Sequence, residues 1–343
     1  MYSSLSMCPY YSVRTDNAGS GLPKGCIVTH VVPWRASAWT KTAKVTTELS
    51  DGTARDYFLK TCSTDVGPIM MQGEFQSLSS IKNLMPDFAP QPYGWGQYMS
   101  SPGTYFLIME FLDLVLELPD PATFSGLVAD LHRNSRSPTG QFGFHLPNCH
   151  GKIVQANTWD SSWSRYFNRL LSSFLEADMA TNGPFDPDYI PAFETLTKHV
   201  IPRLLEPLQA DGRMLKPSLV HGDLWEGNVG TSAGTGKPVV FDASVFYGHH
   251  EYELGMWRRA AIAFDRPYLE HYLLHMPPSE PADEWNDRNR LYSIKFNLAH
   301  SVGWMGASDD TRRMILEDVQ YLNNKYALTA LETPSVATIV SPE

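Results

Sequence analysis

Leu219-Val220-His221-Gly222-Asp223-Leu224-Trp225-Glu226-Gly227-Asn228 decides how this chain is read. An apolar run enters a glycine turn that presents an aspartate and, five positions on, an asparagine. Fourteen residues beyond Asn228 a second short apolar run, Pro238-Val239-Val240-Phe241, delivers Asp242. Short apolar runs bounded by turn residues read as strands, so both aspartates stand where a strand opens into a loop. Phosphoryl transfer needs one carboxylate to orient an acceptor hydroxyl, plus an Asn and an Asp to hold a divalent cation against phosphates. Taken alone, the first stretch also reads as a strand turn with an ordinary Asx cap.

The N-terminal half supplies an independent check. Strand texture runs from Cys26 to Lys60 through Ile27-Val28, Val31-Val32, Ala43 to Leu49 and Tyr57 to Lys60, with a hairpin turn at Ser50-Asp51-Gly52-Thr53. Met71, Glu74, Phe75, Leu78, Ile81 and Met85 then recur at helical spacing. Glu74 falls on the apolar face of that helix, where a lone carboxylate carries a large desolvation cost. Lys60, at the end of the preceding strand, is the nearest candidate partner, in the strand-lysine to helix-glutamate pair that orients ATP phosphates. Two more runs, Tyr93 to Met99 and Tyr105 to Phe111, flank a Gly/Ser/Pro turn and predict a second hairpin. The backbone of Glu110, Phe111 and Leu112 then falls where a kinase hinge binds adenine. The spacing from Asp223 to Asn228 matches the kinase pattern HRDxxxxN, with Gly222 in place of Arg. The roles that follow are Asp223 as catalytic base, Asn228 and Asp242 as Mg²⁺ ligands, and Lys60 with Glu74 on ATP.

After Leu112 the texture turns mainly helical. Apolar stripes mark helices through Phe124 to Leu131, Trp163 to Phe174, Leu254 to Phe264, Leu291 to Val302 and Ile315 to Tyr326. The expected fold is therefore α+β, protein-kinase-like and bilobal. Residues 1–25 form an irregular lead-in, 26–112 a β-rich N-lobe, and 113–343 a mainly helical C-lobe.

Composition sets the outer limits. At 343 residues the chain exceeds one ordinary core, and its 43% hydrophobic and 19% charged content is that of a globular protein. A net charge of −10 argues against a nucleic-acid partner, since phosphate backbones call for a basic face. The longest apolar stretch, Tyr105 to Leu118, is interrupted by Glu110, Asp113 and Glu117, which argues against a membrane span. Four cysteines (Cys8, Cys26, Cys62, Cys149) without a CxxC pair fit reduced thiols rather than disulfides or structural zinc. With no signal-peptide pattern in MYSSLSMCPYYSV, the expected location is cytoplasmic. Oligomeric state is not legible.

Three blocks extend the match. His221 to Gly230 reads HGDLWxGNVG, and Phe241 to Leu254 reads FDxxxFYGHxEYEL. The third comprises Phe142-Gly143-Phe144-His145 with Gln155, Asn157, Trp159, Trp163 and Phe167, preceded by Ala129-Asp130-Leu131-His132. Together, from about Cys26 to Tyr326, they resemble the fructosamine-3-kinase (ketosamine-3-kinase, protein-ribulosamine 3-kinase) family of aminoglycoside-phosphotransferase-like kinases. That resemblance implies ATP-dependent phosphorylation of the sugar 3-hydroxyl of a ketosamine, on a protein lysine or a small amine. The phosphate makes the adduct labile, so the reaction is of the deglycating type. By the same resemblance Asp223 matches the base, Asn228 and Asp242 the metal ligands, Lys60 the phosphate lysine and Glu74 its partner. Trp225 and His249 are candidates for contact with the substrate, Trp225 as a stacking platform or as a tryptophan packed beneath the loop.

Two departures stand out. The stretch expected over the phosphates, Pro33-Trp34-Arg35-Ala36-Ser37-Ala38-Trp39-Thr40-Lys41-Thr42-Ala43, contains no glycine, although glycine lets backbone N–H groups approach phosphate closely. Asp242-Ala243-Ser244-Val245 stands where many relatives have Asp-Pro-Ala-Ser. These leave two alternatives open: a small-molecule kinase of the same fold acting on another hydroxyl, and a nucleotide-binding pseudokinase. His249-His250 with Glu251 and Glu253 is expected to be a loop cap or helix start rather than a metal site, because adjacent positions do not share one helix face. Cys26 is expected to be an inert small residue rather than a redox-sensitive thiol.

Overall fold

The pattern KTAKVTTE of Lys41–Glu48 buries Ala43, Val45 and Thr47 and turns the residues between them outward, the period of two that a pleated strand imposes. The computed structural model describes residues 21–35, 38–304 and 308–331. Its strands are β1 (Ile27–Pro33), β2 (Lys41–Glu48), β3 (Ala54–Cys62), β4 (Pro92–Gln97), β5 (Tyr105–Glu110), β6 (Leu114–Val115), β7 (Asn148–His150), β8 (Ile153–Gln155), β9 (Ser218–Val220), β10 (Val229–Ser232), β11 (Pro238–Val240) and β12 (Phe246–Gly248). Its helices are α1 (Gly67–Leu84), α2 (Pro121–Asn134), α3 (Trp163–Asn182), α4 (Tyr189–Thr195), α5 (Ile201–Leu205), α6 (Leu254–Trp257), α7 (Arg266–His275), α8 (Trp285–Gly303) and α9 (Ser308–Leu331).

The first five strands form an antiparallel sheet in the order β1-β2-β3-β5-β4 around Ala43, Val45, Tyr57, Leu59 and Ile108. Its first tight turn closes where Asp51 Oδ1 accepts from the Thr53 N–H at 3.0 Å. Helix α1 follows β3 directly and turns Met71, Glu74, Leu78 and Ile81 inward. Three smaller pairings, β11-β10-β6, β12-β9 and β7-β8, carry the loops described below. Asp120 caps α2 by accepting from the Thr123 N–H at 2.8 Å, with Pro121 in the first helical turn.

Two compact units result. One takes the chain up to Trp159 together with Pro217–Pro277, and the other takes Asp160–Lys216 with the chain from Pro278 onward. Residue 112 marks the change of texture from sheet to helix, whereas the compact units divide at Trp159, Lys216 and Pro277. Every predicted site residue belongs to the first unit. In the second, α3 buries Trp163, Tyr166, Phe167, Leu170, Leu171 and Phe174 along one stripe. Helix α8 packs against both α3 and α9.

One predicted helix is corrected and several elements were unforeseen. The helix expected over Leu254 to Phe264 ends at Trp257. Glu226 Oε2 accepts from the Ala263 N–H at 3.1 Å, taking a donor that a continuing helix would have spent on its own carbonyl. Phe264 still reaches the core, stacked 5.1 Å from Phe124. Helix α7 and the run Tyr189–Gln209 (α4, a π turn, α5 and a 3₁₀ turn) were missed, the latter because Pro191, Pro202 and Pro207 interrupt its pattern. The lead-in tyrosines Tyr2, Tyr10 and Tyr11, Cys8, and the loop residues Ala36 and Ser37 lie outside the described residues. Among the described residues, Cys26, Cys62 and Cys149 are unbridged, and no helix is long and apolar enough to cross a membrane.

Candidate active site

The catalytic-type loop begins where β9 runs out. Gly222 takes φ 85°, and a Cβ there would lie 2.4 Å from the Ser244 carbonyl oxygen. No L-side chain fits that backbone, which explains why glycine stands where kinases carry arginine. The turn is held from below by Glu253, whose carboxylate accepts from the His221 N–H at 2.5 Å and the Gly222 N–H at 3.1 Å. His132 Nε2 stands 3.5 Å from the same carboxylate, and both side chains are fully buried. His221 donates through Nε2 to the Phe241 carbonyl at 3.0 Å and accepts through Nδ1 from the Asp223 N–H at 3.3 Å. Those two roles define the neutral imidazole. Desolvation lowers its pKa from the ordinary value despite the opposing pull of Glu253.

From this footing the loop presents Asp223 and Asn228. The Asn228 amide nitrogen donates to the Asp223 carbonyl at 2.8 Å and to Asp223 Oδ2 at 3.1 Å. With both N–H bonds used, the amide oxygen of Asn228 remains as an acceptor. Trp225 is half-buried, and its indole lies over Gly227, where an added Cβ would fall 2.3 Å from the ring. Arg259 is a cation on this side of the loop. Burial lowers its pKa while Asp223 and Glu226 pull it back up.

Asp242 follows β11 in the left-handed region at φ 56°, which only small polar residues enter readily. Strain of this kind concentrates at functional sites. Lys60 Nζ stands 2.6 Å from Asp242 Oδ1 and 2.9 and 2.8 Å from the two oxygens of Glu74. The Lys60 and Glu74 side chains are 6% and 8% exposed, whereas 44% of the Asp242 side chain remains open. Desolvation works against the Lys60 ammonium, but Asp242 and Glu74 more than restore it and raise its pKa. Burial drives the Glu74 carboxyl up, further than Lys60 draws it down. In Asp242 burial also pushes upward, but the Lys60 charge and hydrogen bond prevail and hold the pKa below the usual carboxylate value.

The remaining predicted positions are placed less uniformly. Glu110 ends β5, and its N–H is spent on the Gln91 carbonyl at 2.8 Å. Phe111 meets Trp34 edge-on at 4.9 Å, with the Lys44 ammonium 4.5 Å from its ring, and Leu112 follows half-buried. The glycine-free loop is tied at its stem: the Trp34 N–H donates to the Thr42 carbonyl at 3.0 Å, and the Thr42 hydroxyl bonds the Trp34 and Arg35 carbonyls. His249 corrects its proposed substrate contact. It has no accessible surface, and its ring packs 4.9 Å from that of His250. The expectation that adjacency keeps His249, His250 and Glu251 apart is also corrected. The 3₁₀ turn His250–Tyr252 brings one ligand-type atom from each within 4.8 Å of the others, although His250 Nδ1 is engaged with the Tyr272 hydroxyl at 3.2 Å.

Sequence reasoning passed over Glu253, His132 and His150 as site residues. Glu253 and His132 had been quoted within family-type blocks, but their targets are backbone N–H groups and a buried carboxylate, which no spacing rule reveals. His150 Nε2 lies 3.4 Å from Asp223 Oδ1, carried there by the β7–β8 hairpin.

An antiparallel sheet and helix that deliver Lys60 and Glu74 to Asp242, beside a loop carrying Asp223 and Asn228, define a protein of the kinase-like α+β class. Solved structures share that fold. An aminoglycoside phosphotransferase, APH(4)-Ia, matches with a TM-score of 0.57 at 16% identity, over 87% of this chain and 95% of its own. A Haemophilus somnus protein assigned as a fructosamine-3-kinase matches with a TM-score of 0.69 at 18% identity, over 86% and 92%. The chain belongs to the fructosamine kinase family, whose sequence profile matches residues 38–320. It is 28% identical over 268 residues to the chloroplastic protein-ribulosamine 3-kinase of Oryza sativa, covering 76% of this chain and 74% of the relative. It is also 28% identical over 281 residues to the mouse ketosamine-3-kinase, covering 73% and 85%. A kinase of sugar–amine adducts is the class these relationships establish.

Proposed function

We propose that this protein transfers the γ-phosphoryl group of ATP to the sugar 3-hydroxyl of a ketosamine, a ribulosamine or fructosamine borne by a protein lysine or a small amine. The observation that carries the proposal is the Lys60 ammonium, which meets Glu74 and also Asp242, 182 residues further along the chain than Lys60. Nucleotide use gains support from the APH(4)-Ia relative, whose structure holds AMP-PNP and hygromycin B together. Fully buried cation–carboxylate groups of purely structural use need no open face, yet Asp242 keeps one.

Asp223 accepts a hydrogen bond from the acceptor hydroxyl and aims its oxygen at the γ-phosphorus. As the new O–P bond forms and the bond to the ADP oxygen breaks, the hydroxyl proton leaves toward Asp223. Lys60, held by Glu74, directs its charge to the phosphates. The backbone at Glu110, Phe111 and Leu112 receives adenine through its remaining groups. Asn228 and Asp242 fit a hard divalent ion, since one offers an amide oxygen and the other a partly open carboxylate. Mg²⁺ held there supplies charge neutralisation for the phosphates. Trp225, whose ring lies against Gly227, is the aromatic surface on which the sugar or its linker rests. We place the protein in the cytoplasm, where reduced thiols and small ketosamines coexist.

A screen of ATP consumption against ribulosyl-lysine, fructosyl-lysine and simple polyols tests this reading. Turnover confined to the ketosamines is expected. Turnover of other polyols alone would move the chain to a different small-molecule kinase, and ATP binding without any turnover would make it a pseudokinase.

A further inference from the structure

The β7–β8 hairpin is bolted to the segment that follows Asp242. Asn148 donates to the Val245 carbonyl at 2.8 Å, and its own Oδ1 accepts from Gln155 at 3.0 Å and Asn157 at 2.9 Å. Gln155 also reaches the Ser244 carbonyl at 3.3 Å, and all three amides are buried. Buried hydrogen-bond networks rigidify the segments they join, and among the described residues Gln155 Oε1 alone of these three amide oxygens is buried without a partner. What the network fixes is His150 at the hairpin's tip, 8% exposed.

His150 Nδ1 lies 3.1 Å from the Gly222 carbonyl oxygen. A carbonyl only accepts, so Nδ1 carries a proton; Nε2 faces Asp223 Oδ1 at 3.4 Å and donates to it when that nitrogen is protonated as well, the ring then being an imidazolium. Asn228 holds the other oxygen, Oδ2, at 3.1 Å. With His150 as the imidazolium the Asp223 carboxylate is bracketed on both sides, whereas an aspartate left alone rotates broadly about its last torsion. The same hairpin backs the nucleotide-side loop. A Cβ on Gly151 would meet Trp39 Nε1 at 3.4 Å, and Lys152 Nζ stands 5.6 Å from that ring.

We infer that His150 is a positioning residue of the phosphotransfer site, setting the orientation in which Asp223 meets the acceptor hydroxyl; the inference rests on the function proposed above. Misplacement of a reacting group by about 1 Å costs up to ~100-fold in rate. Removing the imidazole is therefore expected to act on kcat and to spare nucleotide affinity.

The test compares His150→Phe, which fills the volume without a polar atom, with His150→Gln, whose amide reaches the same neighbours. Steady-state kinetics with ribulosyl-lysine are paired with thermal melts. The expected result is a fall in kcat of about 10- to 100-fold for His150→Phe, with the KM for ATP within about twofold and most of the rate recovered in His150→Gln. An unchanged kcat in His150→Phe would overturn the inference, as would equal losses of kcat and melting temperature in both variants. A second readout needs no turnover: the ¹⁵N resonance of His150 Nε2 should move in Asp223→Asn, and an unmoved resonance also overturns it. If the wild-type protein phosphorylates no ketosamine while that resonance does move, the proposed function fails and the contact stands.

Discussion

Each compact unit contains a buried cation held by carboxylate, and the two differ in what they leave open. In the second unit the Arg312 guanidinium lies 3.0 Å from Asp178 Oδ2, with both side chains at or below 1% exposure. Asp178 Oδ1 is closed off by Ser301 at 2.6 Å and Asn182 at 2.9 Å. Arg312 donates on to the Gly183 carbonyl at 2.7 Å, with the rings of Phe185 and Tyr189 at 4.8 and 5.1 Å. In the first unit Lys60 meets two carboxylates, one of them 44% exposed on a left-handed backbone. The arginine cluster has both Asp178 oxygens occupied and serves to lock α3 to α9. The lysine cluster has an open side and strain, the features on which its proposed role with phosphate and metal rests.

The largest separation between the two comes from dismantling each. Lys60→Met with Glu74→Leu is expected to lower ketosamine turnover by about 10³-fold. Its melting temperature should stay within a few degrees, because an apolar pair of similar volume replaces a buried ion pair at little cost. Arg312→Met should do the reverse, costing about 3–5 kcal/mol in denaturant unfolding by leaving Asp178 unpaired. Its turnover per folded molecule at low temperature should be normal. Loss of turnover in a fully folded Arg312→Met protein would erase the distinction.

A smaller effect sharpens the contrast within the first unit. Glu253→Gln exchanges a two-point acceptor for one that can serve only one of the two backbone N–H groups. Leaving the other buried and unmet costs about 1–3 kcal/mol. Because those N–H groups belong to His221 and Gly222, both unfolding free energy and kcat should fall, with ATP affinity retained. A change in stability alone would make Glu253 a core residue without bearing on the loop.

How much of this could be read in the sequence follows from how local each signal is. The five-strand sheet, α1 and the α3 stripe are short-period patterns, and Lys60, Glu74, Asp223, Asn228 and Asp242 stand at strand and helix ends that those patterns locate. Gly222 stood out as a departure from the kinase motif, but its cause, the Ser244 carbonyl 2.4 Å from any Cβ, lies 22 positions away. His150 and Glu253 act on Asp223 and its turn through contacts made only in three dimensions. Short of Phe264 the predicted helix likewise gives way where a distant side chain, Glu226, takes the Ala263 N–H.

The most direct test of the central claim is the fate of labelled phosphate in a single turnover. With [γ-³²P]ATP and ribulosyl-lysine, the wild-type chain should place the label on the sugar 3-hydroxyl. Asp223→Asn should slow that step by about 10²- to 10⁴-fold while binding ADP as tightly as before. Label on a different hydroxyl, or an Asp223→Asn protein as fast as the wild type, would contradict the account.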